Sequence, residues 1–182
     1  MKSHVPSEYL TDNLQTVLTS AFEGPVLDLA CGAGQNGLLL AEKGALVHFW
    51  DRDRQDLRQI ESTARDRGLK IAVRHVDIET GQTDLLPFEF FSVIMVFRYL
   101  HRPLIPEIKK AVLPGGIVVY ETFTVRQAKL GKPSNPDYLL KDDELFKWFS
   151  GWEILDQHQG RLENPERYMA RIIARKPFTD DQ

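Results

Sequence analysis

The sequence predicts an α/β protein whose sheet is mainly parallel and covered by helices on both faces. Three features of the 182-residue chain carry that prediction. Five short apolar runs alternate with helical patterns, the sign of strand–helix–strand units. The first run, Val26 to Leu29, passes through Gly32, Gly34 and Gly37 straight into a helical pattern opened by Leu38. Its short, mainly apolar character suits a strand buried on both faces. Two final runs lie too close together for a crossover helix, so they pair antiparallel.

In chain order, Leu10, Leu14, Val17, Leu18 and Ala21 recur at helical spacing and predict a helix over 7–22. Strand one follows at 25–30. The helix after the glycines ends near Lys43, where Gly44 serves as its cap. Strand two covers 46–50 and ends at Asp51. Asp53 caps the next helix, which buries Leu57, Ile60 and Ala64 and stops at Gly68. Strand three covers 71–76 and ends at Asp77, and strand four covers 91–97. A helix over 104–113 is broken by Pro114-Gly115-Gly116, which launches strand five at 117–122. After a polar loop come a helix over 142–149 and strands over 152–157 and 168–174. The whole of 1–182 reads as one domain.

Bulk properties narrow the class. A hydrophobic content of 42% is enough for one compact core. The net charge of -3 disfavours a general polyanion-binding surface, so no nucleic acid partner is expected. Cys31 is the single cysteine, which excludes an internal disulfide and a thiolate-rich metal site, and no metal is expected. No apolar run approaches the roughly 20 residues of a membrane span. Met1-Lys2-Ser3-His4-Val5-Pro6 has no apolar signal core. A cytoplasmic protein without a membrane partner is the expectation.

A strand, a glycine turn and a helix form a cradle that a ligand can approach closely. Gly32-x-Gly34-x-x-Gly37, with Asp51 downstream, is a literal dinucleotide fingerprint. Asp28 speaks against that reading. It sits inside strand one, where a dinucleotide fold has an apolar residue, and a carboxylate there is costly unless something pairs with it. S-adenosylmethionine carries an ammonium group that would pair with it, and NAD does not.

With Asp28-Leu-Ala-Cys-Gly-Ala-Gly34, the acid at Asp51, Asp77 after strand three, Leu113-Pro-Gly-Gly116 before strand five and the closing hairpin, the chain resembles class I S-adenosylmethionine-dependent methyltransferases over nearly its whole length. Within that family it is similar to the small tellurite-resistance-type methyltransferases. The resemblance implies a Rossmann-like, doubly wound, seven-stranded sheet of order 3-2-1-4-5-7-6 with strand seven antiparallel. It also implies an N-terminal helix, within 1–24, that covers the cofactor side.

By the same resemblance, Asp28 and the stretch Ala30, Cys31, Gly32, Gly34 and Asn36 lie near the methionine portion of S-adenosylmethionine. Asp51 accepts from both ribose hydroxyls, as a carboxylate with two oxygens can. Asp77 accepts from the adenine amino group, Ile78 walls the ring, and Phe97 and Arg98 border the methionine end. Each acid has a plainer reading: Asp51 as a helix cap, Asp77 as a turn residue before Gly81, Asp28 as a structural acid bonded to its own loop. Cys31 reads as a small loop residue, with no base near it in sequence. Arg52 stands where relatives place an apolar residue; it either stacks on adenine or points to water.

The acceptor side is less legible. Tyr99, His101 and Glu121, at the ends of strands four and five, are the candidate proton acceptors or substrate ligands, with His101 alternatively a helix-entry residue before Pro103. The loop 124–140 has the length of a substrate lid. Its Arg126, Lys129 and Lys132 point to an anionic small-molecule acceptor, or else form a solvated face. A methyltransferase acting by in-line displacement competes with two readings: an NAD(P)-dependent oxidoreductase, which lacks a Tyr-x-x-x-Lys pair here, and a non-catalytic S-adenosylmethionine-binding module. A nucleic-acid methyltransferase lacks an Asn-Pro-Pro-Tyr-type motif after strand four.

Overall fold

The computed structural model describes residues 5–81 and 84–178. The ends of the expected domain, and Met1 to His4 of the N-terminal stretch, lie outside the described residues. Strands β1 (Val26–Leu29), β2 (Val47–Asp51), β3 (Ile71–His75), β4 (Phe91–Phe97), β5 (Val112–Phe123), β6 (Glu153–Leu162) and β7 (Arg167–Arg175) form a seven-stranded sheet of order β3-β2-β1-β4-β5-β7-β6. Strands β1 to β5 pair in parallel, and β7 runs antiparallel to both β5 and β6. The expected order and the antiparallel seventh strand are present.

Alternation along the strands builds two cores. Leu27, Leu29, Ile94, Val96, Val118 and Tyr120 face helices α5 (Ile105–Ala111) and α6 (Glu144–Trp148). Val26, Phe49, Val93, Met95 and Val119 face the other way. They meet α1 (Glu8–Asp12), α2 (Leu14–Ala21), α3 (Gln35–Glu42) and α4 (Arg54–Arg67). Each large side chain buried this way contributes about 1.5–3 kcal/mol. Asp28 shares the second face with Val26 and is therefore directed at α3.

The structure departs from the expected elements at three places. The single N-terminal helix is two, because Asn13 leaves helical geometry (φ -106°) and donates its side-chain amide to the Tyr9 carbonyl. The helix predicted over 104–113 begins as a 3-10 turn, Arg102–Leu104, and gives way to β5 at Val112. The closing hairpin is longer than expected: β6 continues to Leu162, and polar residues such as Gln157 and Gln159 pair along it as edge-strand residues do.

Candidate active site

The carboxyl ends of β1 and β4, adjacent in the sheet, both terminate on a residue with positive φ: Ala30 at 53° and Arg98 at 56°. For residues other than glycine this conformation costs on the order of 1–3 kcal/mol and clusters at functional sites. It turns the chain out of the sheet at both points and opens a crevice between them. The loop after β1 continues through Gly32 (φ 52°) to Gly34 (φ 73°), the N-cap of α3. At Gly34 a Cβ would lie 2.5 Å from Ile60. At Gly37 it would lie 2.4 Å from the Phe49 ring and 2.8 Å from Asp28 Oδ2. A Cβ at Gly32 meets nothing within 4 Å, so that glycine faces open space.

Asp28 is 1% exposed. Its Oδ2 accepts the Gly37 backbone N–H at 2.8 Å, so it is bonded to the helix after its own loop. Burial, reinforced by the nearby Asp51 carboxylate, pushes Asp28 up to about 7, against the pull of the Gly37 hydrogen bond. Among the described residues no cation pairs with it. Asp51 is held from two sides: Oδ2 accepts from Gly32 N at 2.7 Å and Oδ1 from Asp53 N at 2.8 Å. Asp53, as expected, caps α4 by accepting from Gln55 N and Asp56 N.

Three cavities meet at the strand ends, and Arg98 lines all of them. The first brings together Ala30, Asp51, Arg52, Asp77, Ile78, Phe97 and Tyr99. The second, narrow and walled on one side by Val5 and Ser7, brings together Asp28, Ala30, Cys31, Asn36 and Phe97. The third opens beyond Tyr99 towards Phe123, Pro133 and Tyr138. Asp77 accepts from Glu79 N at 3.0 Å, so it both makes a turn and lines the first cavity. Asn36 spends its amide oxygen on Ser7 N at 2.8 Å. Burial drives the Cys31 thiol far above its ordinary range, which leaves it no nucleophilic thiolate.

The acceptor-side candidates separate. Tyr99 lines the first and third cavities and donates its hydroxyl to Glu79 Oε1 at 3.1 Å. Burial and the Glu79 charge hold its proton on. His101 lines none of the three; it is the residue that enters the 3-10 turn before Pro103. Glu121 is 1% exposed and both its oxygens are taken, by Ser7 Oγ at 2.9 Å and by Arg171 Nε at 2.7 Å. The geometry makes it an anchor for the N-terminal segment rather than a base facing the crevice. Arg52 is largely exposed to water at the crevice mouth, and its guanidinium comes within 3.7 Å of Glu79.

Sequence reasoning missed Glu79, which joins Arg52 to Tyr99, and Arg102, which ties down the loop 124–140. Arg102 donates to both oxygens of Glu144 (2.7 and 2.9 Å) and to the carbonyls of Asp137 and Leu139 (3.0 and 2.9 Å). Those carbonyls flank Tyr138 and hold it at the third cavity. Neither residue has a local motif; their partners lie 20 and 42 residues away. The loop residues that line the third cavity are Pro133 and Tyr138, not Arg126, Lys129 or Lys132. Arg126 instead pairs with Asp142 at 3.4 Å.

A family model described as "Tellurite resistance protein TehB" matches residues 10–175. The chain belongs to the TehB family. A curated TehB-family relative from Haemophilus influenzae, a probable S-adenosyl-L-methionine-dependent methyltransferase, is 26% identical over 165 residues, covering 83% of this chain and 57% of its own length. The chain thus spans somewhat over half the length of the TehB relatives it matches. The crystal structure of TehB from Haemophilus influenzae superposes with a TM-score of 0.71 at 24% identity, over 89% of this chain and 62% of that one. The [4+2]-cyclase SpnF superposes with a TM-score of 0.69 at 18% identity, over 96% and 84%. Likenesses of this kind establish the TehB-like fold, and a cyclase on the same fold shows that chemistry must be argued from the site.

Proposed function

We propose that the chain binds S-adenosylmethionine at the carboxyl ends of β1 to β4 and transfers its methyl group to a small-molecule acceptor by in-line displacement. The observation that carries this reading is Asp28, a buried carboxylate that lines a cavity and makes no ion pair among the described residues. An ammonium group on the ligand is the partner it lacks. The family relative named as a probable S-adenosylmethionine-dependent methyltransferase supports the same cofactor.

The residues present suit the cofactor in parts. Asp28 would hold the ammonium, and Val5 and Ser7 would cover that end from the N-terminal segment. Asp51 already accepts one backbone N–H on each oxygen, so it is fixed in place with lone pairs left for two ribose hydroxyls. Asp77 and Ile78 would receive the adenine, Ile78 as its apolar wall. When bound, the cofactor supplies a methyl group on a sulfonium, whose leaving thioether needs no acid. The protein's work is then orientation and exclusion of water, worth about 7–11 kcal/mol in well-placed reactions. The loop 124–140 would wall the acceptor side through Pro133 and Tyr138.

The acceptor is anionic on this account, because Arg52 and Arg98 line the third cavity and only Glu79 opposes them. The oxyanion in the family's description and an organic anion both satisfy that charge. Calorimetric titration with S-adenosylhomocysteine tests the cofactor assignment: saturable one-to-one binding is expected. Binding of NADH with no response to S-adenosylhomocysteine would instead select the oxidoreductase reading, and tight binding with no transfer to any acceptor would select a non-catalytic module.

A further inference from the structure

The third cavity encloses about 290 Å³ and has an unusual make-up for a site that handles charge. Tyr99, Tyr138 and Phe123 present three rings to it, Pro133 adds an apolar wall, and Arg98 and Arg52 bring two guanidiniums. Apart from the tyrosine hydroxyls, ring faces and a proline wall offer a small inorganic oxyanion few hydrogen bonds, whereas they suit a flat ring. The two cations differ. Arg52 is paired with Glu79, while Arg98 makes no ion pair among the described residues and sits where all three cavities join.

The cavity also lacks a free base. Glu79 is its one carboxylate, and it accepts from the Tyr99 hydroxyl and pairs with Arg52. Tyr99 holds its proton, raised by burial and by Glu79. Glu121 is consumed by Ser7 and Arg171, and His101 lies outside. A neutral nucleophile would find no unengaged side-chain base in the cavity's lining to take its proton. An acceptor that arrives already ionised has none to place.

We infer that the third cavity takes an aromatic molecule whose attacking oxygen or sulfur is already ionised, and that Arg98 recognises this charge. The inference rests on the proposed methyl transfer. In the step, a lone pair of the aryl oxyanion or thiolate forms the bond to the methyl carbon. The carbon–sulfur bond breaks with its electron pair going to sulfur. The acceptor loses its negative charge, the sulfonium becomes a neutral thioether, and no proton changes hands. The rings stack on the acceptor, and Arg98 orients the anion beside the crevice. Once methylated, the product has lost the charge that Arg98 held, which favours its release.

The test uses the full chain saturated with S-adenosylhomocysteine and titrated with 4-nitrophenolate, its neutral methyl ether 4-nitroanisole, and tellurite. The anion is expected to bind about tenfold or more tighter than the ether, a difference that Arg98→Gln abolishes. Tyr138→Ala, at an exposed residue, is expected to weaken both aromatic ligands alike. With labelled S-adenosylmethionine, the pH profile of kcat/KM should follow the acceptor's own ionisation, shifting down when a thiophenol replaces the nitrophenol. Equal binding of anion and ether, tighter binding of tellurite, or a pH profile indifferent to the acceptor overturns the inference. Failure of S-adenosylhomocysteine itself to bind overturns the methyl-transfer reading instead.

Discussion

Gly32 donates its backbone N–H to Asp51 Oδ2 at 2.7 Å, joining the loop after β1 to the tip of β2. One carboxylate thus sets the loop's position and stands ready for a ligand. Asp51→Ala removes the anchor of both Gly32 and Asp53, each hydrogen bond to a charged group being worth about 1.5–3 kcal/mol. The expected result is at least about a tenfold loss of S-adenosylhomocysteine affinity by calorimetry, together with a lower Tm. Asp51→Asn, which keeps one acceptor, should lose less of both.

Gly37→Ala pushes a methyl group against the Phe49 ring and Asp28. Overpacking of this kind costs about 1–3 kcal/mol, and thermal melting should show a Tm lower by several degrees. Gly32→Ala meets no neighbour but is strained at positive φ, so its smaller loss should fall mainly on ligand binding.

The raised Asp28 ties stability and binding to pH. Because its value moves from 3.8 up to about 7 on folding, the folded chain holds a proton there that the unfolded chain releases. The stabilisation from this group is fully present below about pH 4 and is lost as pH rises through 7. A ligand ammonium favours the ionised form, so binding of S-adenosylhomocysteine near pH 6 should expel close to one proton, and none well above pH 8. Calorimetry in two buffers of different ionisation heat measures this directly; a buffer-independent enthalpy at pH 6 contradicts it.

Glu121 and Arg171 form a buried pair, 1% and 9% exposed. Glu121→Gln leaves the Arg171 charge uncompensated and should cost about 3–5 kcal/mol in chemical denaturation. The pH dependence of turnover should be unmoved, since Glu121 serves as an anchor and not as a base.

What was legible in the sequence was what is local. Val26 to Gly37 carries a strand, a positive-φ turn and a helix start within twelve residues, and Asp53 caps a helix two and three residues away. The sheet order followed from a family resemblance and is observed as expected. The long-range pairs were not legible. Glu121 meets Arg171 only because β7 returns antiparallel in that register, 50 residues on. Glu79 meets Tyr99 only where the loop after β3 reaches the loop after β4, and nothing in either segment encodes it. The charge of Arg126, Lys129 and Lys132 left two readings open, an anionic acceptor or a solvated face, because charge on a loop does not say which way the loop faces; none of the three lines the third cavity.

The central claim is that Asp28 is the counter-charge of a cofactor ammonium. Asp28→Asn is the direct test, because an amide oxygen still accepts from Gly37 N while the negative charge is gone. Its affinity should be measured for S-adenosylhomocysteine and for 5′-methylthioadenosine, which shares the adenosine and thioether but has no ammonium. The account predicts a loss of about tenfold or more for the first and little change for the second. Equal affinities of the variant and the parent chain for S-adenosylhomocysteine would contradict it.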